Sequence, residues 1–219
     1  MRPRISEPSG HGRGDGRWAR VPDAGGTHQA IEDVSVAMAC PNLEVLAPCD
    51  PAETSECIRW CARRETGGPV YIRIGKAGEK DVMSTACPWE FGKMRLICTS
   101  VRRNLDMLLV TYGPILAEVM WVAWELDTSV MCVSRLSDIS EDDYYTMNKY
   151  REIVVVEEAS GAPLASAMKM KSPWAGFADR IISFALPRGF PHAHGTREEL
   201  LSAAGLTAEK MLVVLGGGG

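Results

Sequence analysis

The 219 residues carry 24 basic and 28 acidic side chains, a formal net charge of −4, and 46% are hydrophobic. A balance this mildly acidic excludes nucleic acid or an anionic membrane surface as the main partner. No apolar run approaches the roughly 20 residues that cross a bilayer, and the length suffices for two modest α/β domains.

Arg2 and Arg4 lead into no apolar stretch, so no secretory signal is expected and the chain reads as cytoplasmic. Residues 1–22 are rich in Gly, Arg, Pro and His (Ser9-Gly10-His11-Gly12-Arg13). They have too little apolar surface to offset their ordering entropy, and a disordered arm is expected. Regular patterning starts near Thr27. A helix is expected over 30–40, with Glu32 and Asp33 favouring the positive end of its dipole, then a strand over 43–47. Asp50-Pro51-Ala52-Glu53 is a helix start, with Asp at the cap and Pro at the first helical position; that helix should reach Arg64. Gly67-Gly68 ends it, and 69–74 reads as a strand.

Residues 75–105 give weak signals and read as a link between two domains, with a short strand near 89–97. A strand over 106–112 then turns through Gly113-Pro114 into a helix ending at Leu126. That helix is apolar nearly all round, which predicts deep burial. Further strands are expected over 129–134, 153–157 and 180–186. Helices are expected after Ser140, over 162–170, and from the capping box Thr196-Arg197-Glu198-Glu199 to Gly205. Apolar strands alternating with helices predict a three-layer α/β fold, with mostly parallel sheets covered by helices on both faces. In such sheets ligands gather beyond the carboxyl ends of the strands.

Residues capable of chemistry are few. There is no phosphate-binding P-loop, dinucleotide glycine fingerprint, HExxH or nucleophile elbow. His11 lies in the arm. His28 stands in the turn Gly25-Gly26-Thr27-His28-Gln29, as a cap, a loop residue or a catalytic group. His192 and His194 form either a two-ligand metal pair or an exposed loop. The seven cysteines (Cys40, Cys49, Cys57, Cys61, Cys87, Cys98, Cys132) contain no CxxC and are expected as reduced, mostly buried thiols. Cys57 and Cys61, at i,i+4, lack a third ligand nearby in sequence, so no metal site is expected.

The segment Gly25-Gly26-Thr27-His28-Gln29-Ala30-Ile31-Glu32-Asp33 resembles the pyrimidine-binding domain of the transketolase family. The similarity continues in order through Pro41-Asn42-Leu43-Glu44-Val45, Pro48-Cys49-Asp50-Pro51-Ala52-Glu53-Thr54 and Gly68-Pro69-Val70-Tyr71-Ile72-Arg73-Ile74-Gly75-Lys76. Trp89-Glu90-Phe91-Gly92-Lys93 is similar to a linker element of that family. Leu109-Val110-Thr111-Tyr112-Gly113, Val154-Val155-Val156-Glu157-Glu158 and Gly195-Thr196-Arg197-Glu198-Glu199-Leu200-Leu201 are similar to its C-terminal domain. The resemblance implies an arm (1–22), part of a pyrimidine-binding domain (23–76), a linker (77–105) and a transketolase C-terminal domain (106–215).

The resemblance also implies roles. His28 would be catalytic and would face the sugar beside the thiazolium of thiamine diphosphate, an imidazole suiting proton movement near neutral pH. Lys76 would stand where the family usually has an Arg on the sugar phosphate, keeping the charge without the bidentate fork. Asp23 would lie near a residue contacting a substrate hydroxyl. The family's diphosphate and Mg2+ anchors, its activating glutamate and its stacking aromatic have no counterparts in these 219 residues. The resemblance therefore implies a component inactive alone, transferring a two-carbon ketol unit between sugars once an N-terminal transketolase component brings the cofactor domain, with a homodimer as a further expected assembly. A non-catalytic binding or regulatory module and a truncated gene product are the alternatives. Deoxyxylulose-phosphate synthase and the 2-oxoacid dehydrogenase β-subunits are alternative families.

Overall fold

The computed structural model describes residues 30–75, 81–82, 88–102, 104–189 and 196–217. The expected arm, the Thr27-His28-Gln29 turn, and His192 and His194 lie outside them.

Helix α1 (Asp33–Ala39) leads to strand β1 (Glu44–Leu46), and α2 (Pro51–Arg63) leads to β2 (Val70–Ile72). The start of α2 follows its sequence signal: Asp50 has extended backbone, its carboxylate accepts the Glu53 N–H, and Pro51 occupies the first turn. β1 and β2 pair in parallel, Val45 opposite Tyr71. Gly68 is required by close approach, because a Cβ there would lie 2.2 Å from the Asn42 carbonyl oxygen.

The second sheet has five strands in the order β3-β5-β4-β6-β7. They are β3 (Arg95–Cys98), β4 (Met107–Thr111), β5 (Ser129–Cys132), β6 (Glu152–Ser160) and β7 (Ile181–Leu186). All pairings are parallel except that of β3 with β5. The strand expected near 89–97 begins later than its apolar content implies. Trp89 and Phe91 are not in it; the Trp89 indole donates to Ser134 Oγ (2.8 Å), and Phe91 stacks on Trp60 with ring centroids 3.8 Å apart.

Alternate residues of the central strands face two apolar layers. Leu108, Val110, Tyr112, Ile153 and Val155 pack with α1, α4 (Glu141–Met147) and α5 (Pro163–Lys171). Leu109, Val130, Val154 and Val156 pack with α3 (Leu116–Leu126), α6 (Arg197–Ala203) and α7 (Ala208–Gly216). This is the expected three-layer α/β arrangement. The expectation that the helix ending at Leu126 is deeply buried is corrected: α3 buries Leu116, Val119, Val122 and Ala123, but Trp121 is 47% and Trp124 57% exposed. Its inner face meets the sheet and one flank meets α7, and nothing among the described residues covers the outer face. Helix α7 was not anticipated; its first N–H is met by Glu118 of α3, whose carboxylate accepts from Ala208 N (2.9 Å).

The first four elements do not form a separate core. Val34, Ala37, Val45 and Ala47 share one apolar layer with the five-stranded sheet. Backbone bonds cross the seam from Ala47 N to Ser134 O (2.8 Å), Leu136 N to Val45 O (2.8 Å) and Ser160 N to Ile31 O (2.7 Å). No helix of the described residues is long and apolar enough to cross a membrane.

Candidate functional site

Asp23, His28 and Lys76 lie outside the described residues. At the carboxyl ends of β1 and β2 a cleft of about 220 Å³ is lined by Pro48, Cys49, Asp50, Pro51, Thr54, Ile74, Gly75 and Pro114. Its position follows the rule for parallel sheets. One wall is the start of α2, the opposite wall is the end of β2, and Gly75 immediately precedes Lys76 in the chain.

The N-terminus of α2 is already met by carboxylates. Asp50 accepts from Glu53 N (2.8 Å) and Val82 N (3.0 Å), while Asp81 accepts from Ala52 N (3.2 Å). Beneath it the fully buried Glu53 carboxylate accepts the Cys49 N–H (2.7 Å) and forms an ion pair with buried Arg95. Cys132 is directly opposite Arg95 in the β3–β5 ladder, and its thiol closes a group with Cys49 and Glu53. Cys57, one turn further along α2, is buried, and burial pushes its thiol up to about 12.

A second polar group lies where α1 and β2 meet β6. The Tyr71 hydroxyl donates to Asp33 Oδ2 (2.6 Å), Arg73 Nε lies 3.3 Å from the same oxygen, and Arg73 also donates to the Glu158 carbonyl (2.9 Å). Asp33 of the Glu-Asp pair is thus not merely a dipole partner of its helix; it fixes Tyr71 of β2 and Arg73 just beyond that strand. Glu157, with no exposed surface, accepts from Leu164 N (2.9 Å), Ala165 N (3.1 Å) and the Tyr112 hydroxyl (3.1 Å). Burial nevertheless dominates and raises its carboxyl from 4.5 to about 7, against the pull of those donors and of Arg73. Next to it Glu158 accepts from Arg197 (3.0 Å), leaving Glu158 Oε1 and Arg197 Nε buried without a partner.

These groups define what the described residues can hold. Thiamine diphosphate would need a cradle for the diphosphate and hard oxygen ligands for Mg2+. The cleft is small for a cofactor and has no basic side chain in its described lining. The one cluster of three metal-ligating groups among the described residues has two sulfurs. The described residues therefore do not fit the cofactor's anchors.

Residues 19–78 match the family model described as the pyrimidine-binding domain of transketolase. The chain is transketolase-like. Over 205 residues it is 30% identical to 1-deoxy-D-xylulose-5-phosphate synthase of Treponema pallidum, covering 88% of this chain and 31% of that enzyme. The synthase of Thioalkalivibrio sulfidiphilus is 30% identical over 200 residues, covering 87% and 29% respectively. The chain thus spans about a third of the length of these curated relatives. Among solved structures, a split-gene transketolase, an inactive β4 tetramer, superposes with a TM-score of 0.68 at 25% identity, covering 86% of this chain and 60% of that one. The transketolase of Campylobacter jejuni gives 0.62 at 17% identity, covering 88% and 29%, and shares the fold.

Sequence reasoning located the α2 start and the strand ends that form the cleft. It missed Glu157 as a perturbed acid, and the meeting of Cys49 with Cys132, because both depend on long-range packing.

Proposed function

We propose that this chain is the sugar-facing component of a thiamine-diphosphate-dependent transferase that moves a two-carbon ketol unit between sugar phosphates. The observation carrying this reading is the transketolase similarity at residues 19–78 together with a cleft at the carboxyl ends of β1 and β2 that closes at Gly75. By this reading His28 hydrogen-bonds or moves protons at the substrate, Lys76 attracts its phosphate and Asp23 meets a hydroxyl. The transketolase family depends on thiamine diphosphate, and an N-terminal transketolase component supplies the diphosphate and Mg2+ anchors. That the split-gene relative is inactive as a β4 tetramer supports the need for a second component.

The test is co-expression with the host's N-terminal component and assay of thiamine-dependent ketol transfer. Activity should appear only in the mixture, and His28→Ala should lower kcat by about 100-fold or more with unchanged circular dichroism. Lys76→Ala should act mainly by raising KM for the phosphorylated sugar. Absence of activity in every such mixture would overturn the proposal.

A second reading has its own support: relatives at 30% identity are 1-deoxy-D-xylulose-5-phosphate synthases. Mass spectrometry of the product separates the two, since the synthase yields a 1-deoxy sugar phosphate and the transferase a ketose with its C1 hydroxyl.

A further inference from the structure

Cys49, Glu53 and Cys132 come from three different elements: the loop after β1, the first turn of α2 and the end of β5. Their ligand atoms lie within 4.8 Å of one another, and the residues are 2%, 2% and 1% exposed. Nothing in the proposed sugar chemistry uses them. We propose that these three side chains form a binding site for a thiophilic divalent cation of the zinc class at the base of the cleft.

Donor chemistry selects the ion. Two sulfurs and one carboxylate oxygen suit Zn2+, Cd2+ or Co2+ and not Mg2+ or Ca2+, which take oxygen. Three protein ligands leave a fourth tetrahedral position open. Cys49 also lines the cleft, which gives the ion its route in.

The carboxylate is held before any ion arrives. One Glu53 oxygen accepts the Cys49 N–H and the other pairs with Arg95, and each keeps a lone pair for a ligand. Partners of this kind orient a metal-binding carboxylate. The charges close as well: two thiolates and a carboxylate sum to −3, the cation adds +2 and Arg95 adds +1, a neutral buried group. Cysteine ligates such a cation as the thiolate, so each thiol that binds must shed its proton. Metal uptake therefore displaces up to two protons and tightens as pH rises.

The test uses the reduced, chelator-treated full chain titrated with Co2+. One equivalent should give an intense thiolate-to-cobalt absorption, which Zn2+ should bleach, with a rise in Tm. Cys49→Ser and Cys132→Ser should each weaken Co2+ affinity by at least tenfold, while Cys57→Ser, outside the cluster, should leave it unchanged. Circular dichroism of each variant shows that it folds; should either serine variant unfold, the same titration with Cys132→Ala decides. Three results would overturn the proposal: no thiolate absorption in the wild type, its persistence in both serine variants, or its loss in Cys57→Ser alone. Intact mass showing a Cys49–Cys132 disulfide in the freshly purified chain would also overturn it, since that pair would be an oxidised crosslink.

Discussion

Glu157 shows how environment decides a residue's state. Its carboxylate has three hydrogen-bond donors and a nearby guanidinium, all favouring ionisation, yet complete burial outweighs them and the group titrates near 7. Because the folded-state value lies above that of the unfolded chain, the stabilisation is fully present below about pH 4.5 and is lost as pH rises through 7. Between pH 5 and 8 the wild type should lose up to about 3 kcal/mol from this group. Glu157→Gln cannot ionise, and its single amide oxygen keeps an acceptor for one of the two N–H groups, Leu164 or Ala165, that now bond to separate oxygens. Urea midpoints at the two pH values should differ less in the variant, and equal pH slopes would sink the argument. No local signal in the sequence marks Glu157, which stands in an ordinary apolar strand. Its character comes from α5 and Tyr112, which only the fold brings to it.

At the scale of elements, local chemistry was the readable part. Asp50, Ser140 and Thr196 each accept the N–H three residues on, as their spacing predicts. Asp50 is the strongest case, since its second oxygen also accepts from Val82 N. Asp50→Ala should destabilise the chain by about 1–2 kcal/mol, read as a lower urea midpoint with unchanged slope; a midpoint equal to wild type would show that water replaces the carboxylate for both donors. Burial of α3 was misread because an all-apolar helix can still pack one face only, leaving Trp121 and Trp124 outward. Helix α7 carried a readable signal, Thr207 before an apolar run, masked by the glycine end of α6. The late start of β3 was not readable, for Trp89 and Phe91 are strand-like residues drawn off by Ser134 and Trp60.

For the whole molecule, the sequence divides more cleanly than the packing. The resemblance places a boundary within 77–105, but the elements before it contribute one two-stranded sheet, which on its own is marginal in water. Their apolar faces are completed by the second sheet: Val34, Val45 and Ala47 pack in the layer of Leu108, Met131 and Val155. The polar seam binds them further. Arg135 meets Glu44 through two bonds of 2.9 Å, Ser35 donates to the Ser160 carbonyl (2.7 Å), and Arg73 reaches Glu158. One cooperative transition is therefore expected across the described residues, with calorimetric and van't Hoff enthalpies equal. Residues 1–105 expressed alone should lack protease-resistant structure. Arg135→Met removes a partly exposed pair worth about 1 kcal/mol or less and should lower the single transition by a few degrees without splitting it. Two resolved heat-absorption peaks in the wild type would show instead that the halves fold independently and that the shared apolar layer contributes little to their coupling.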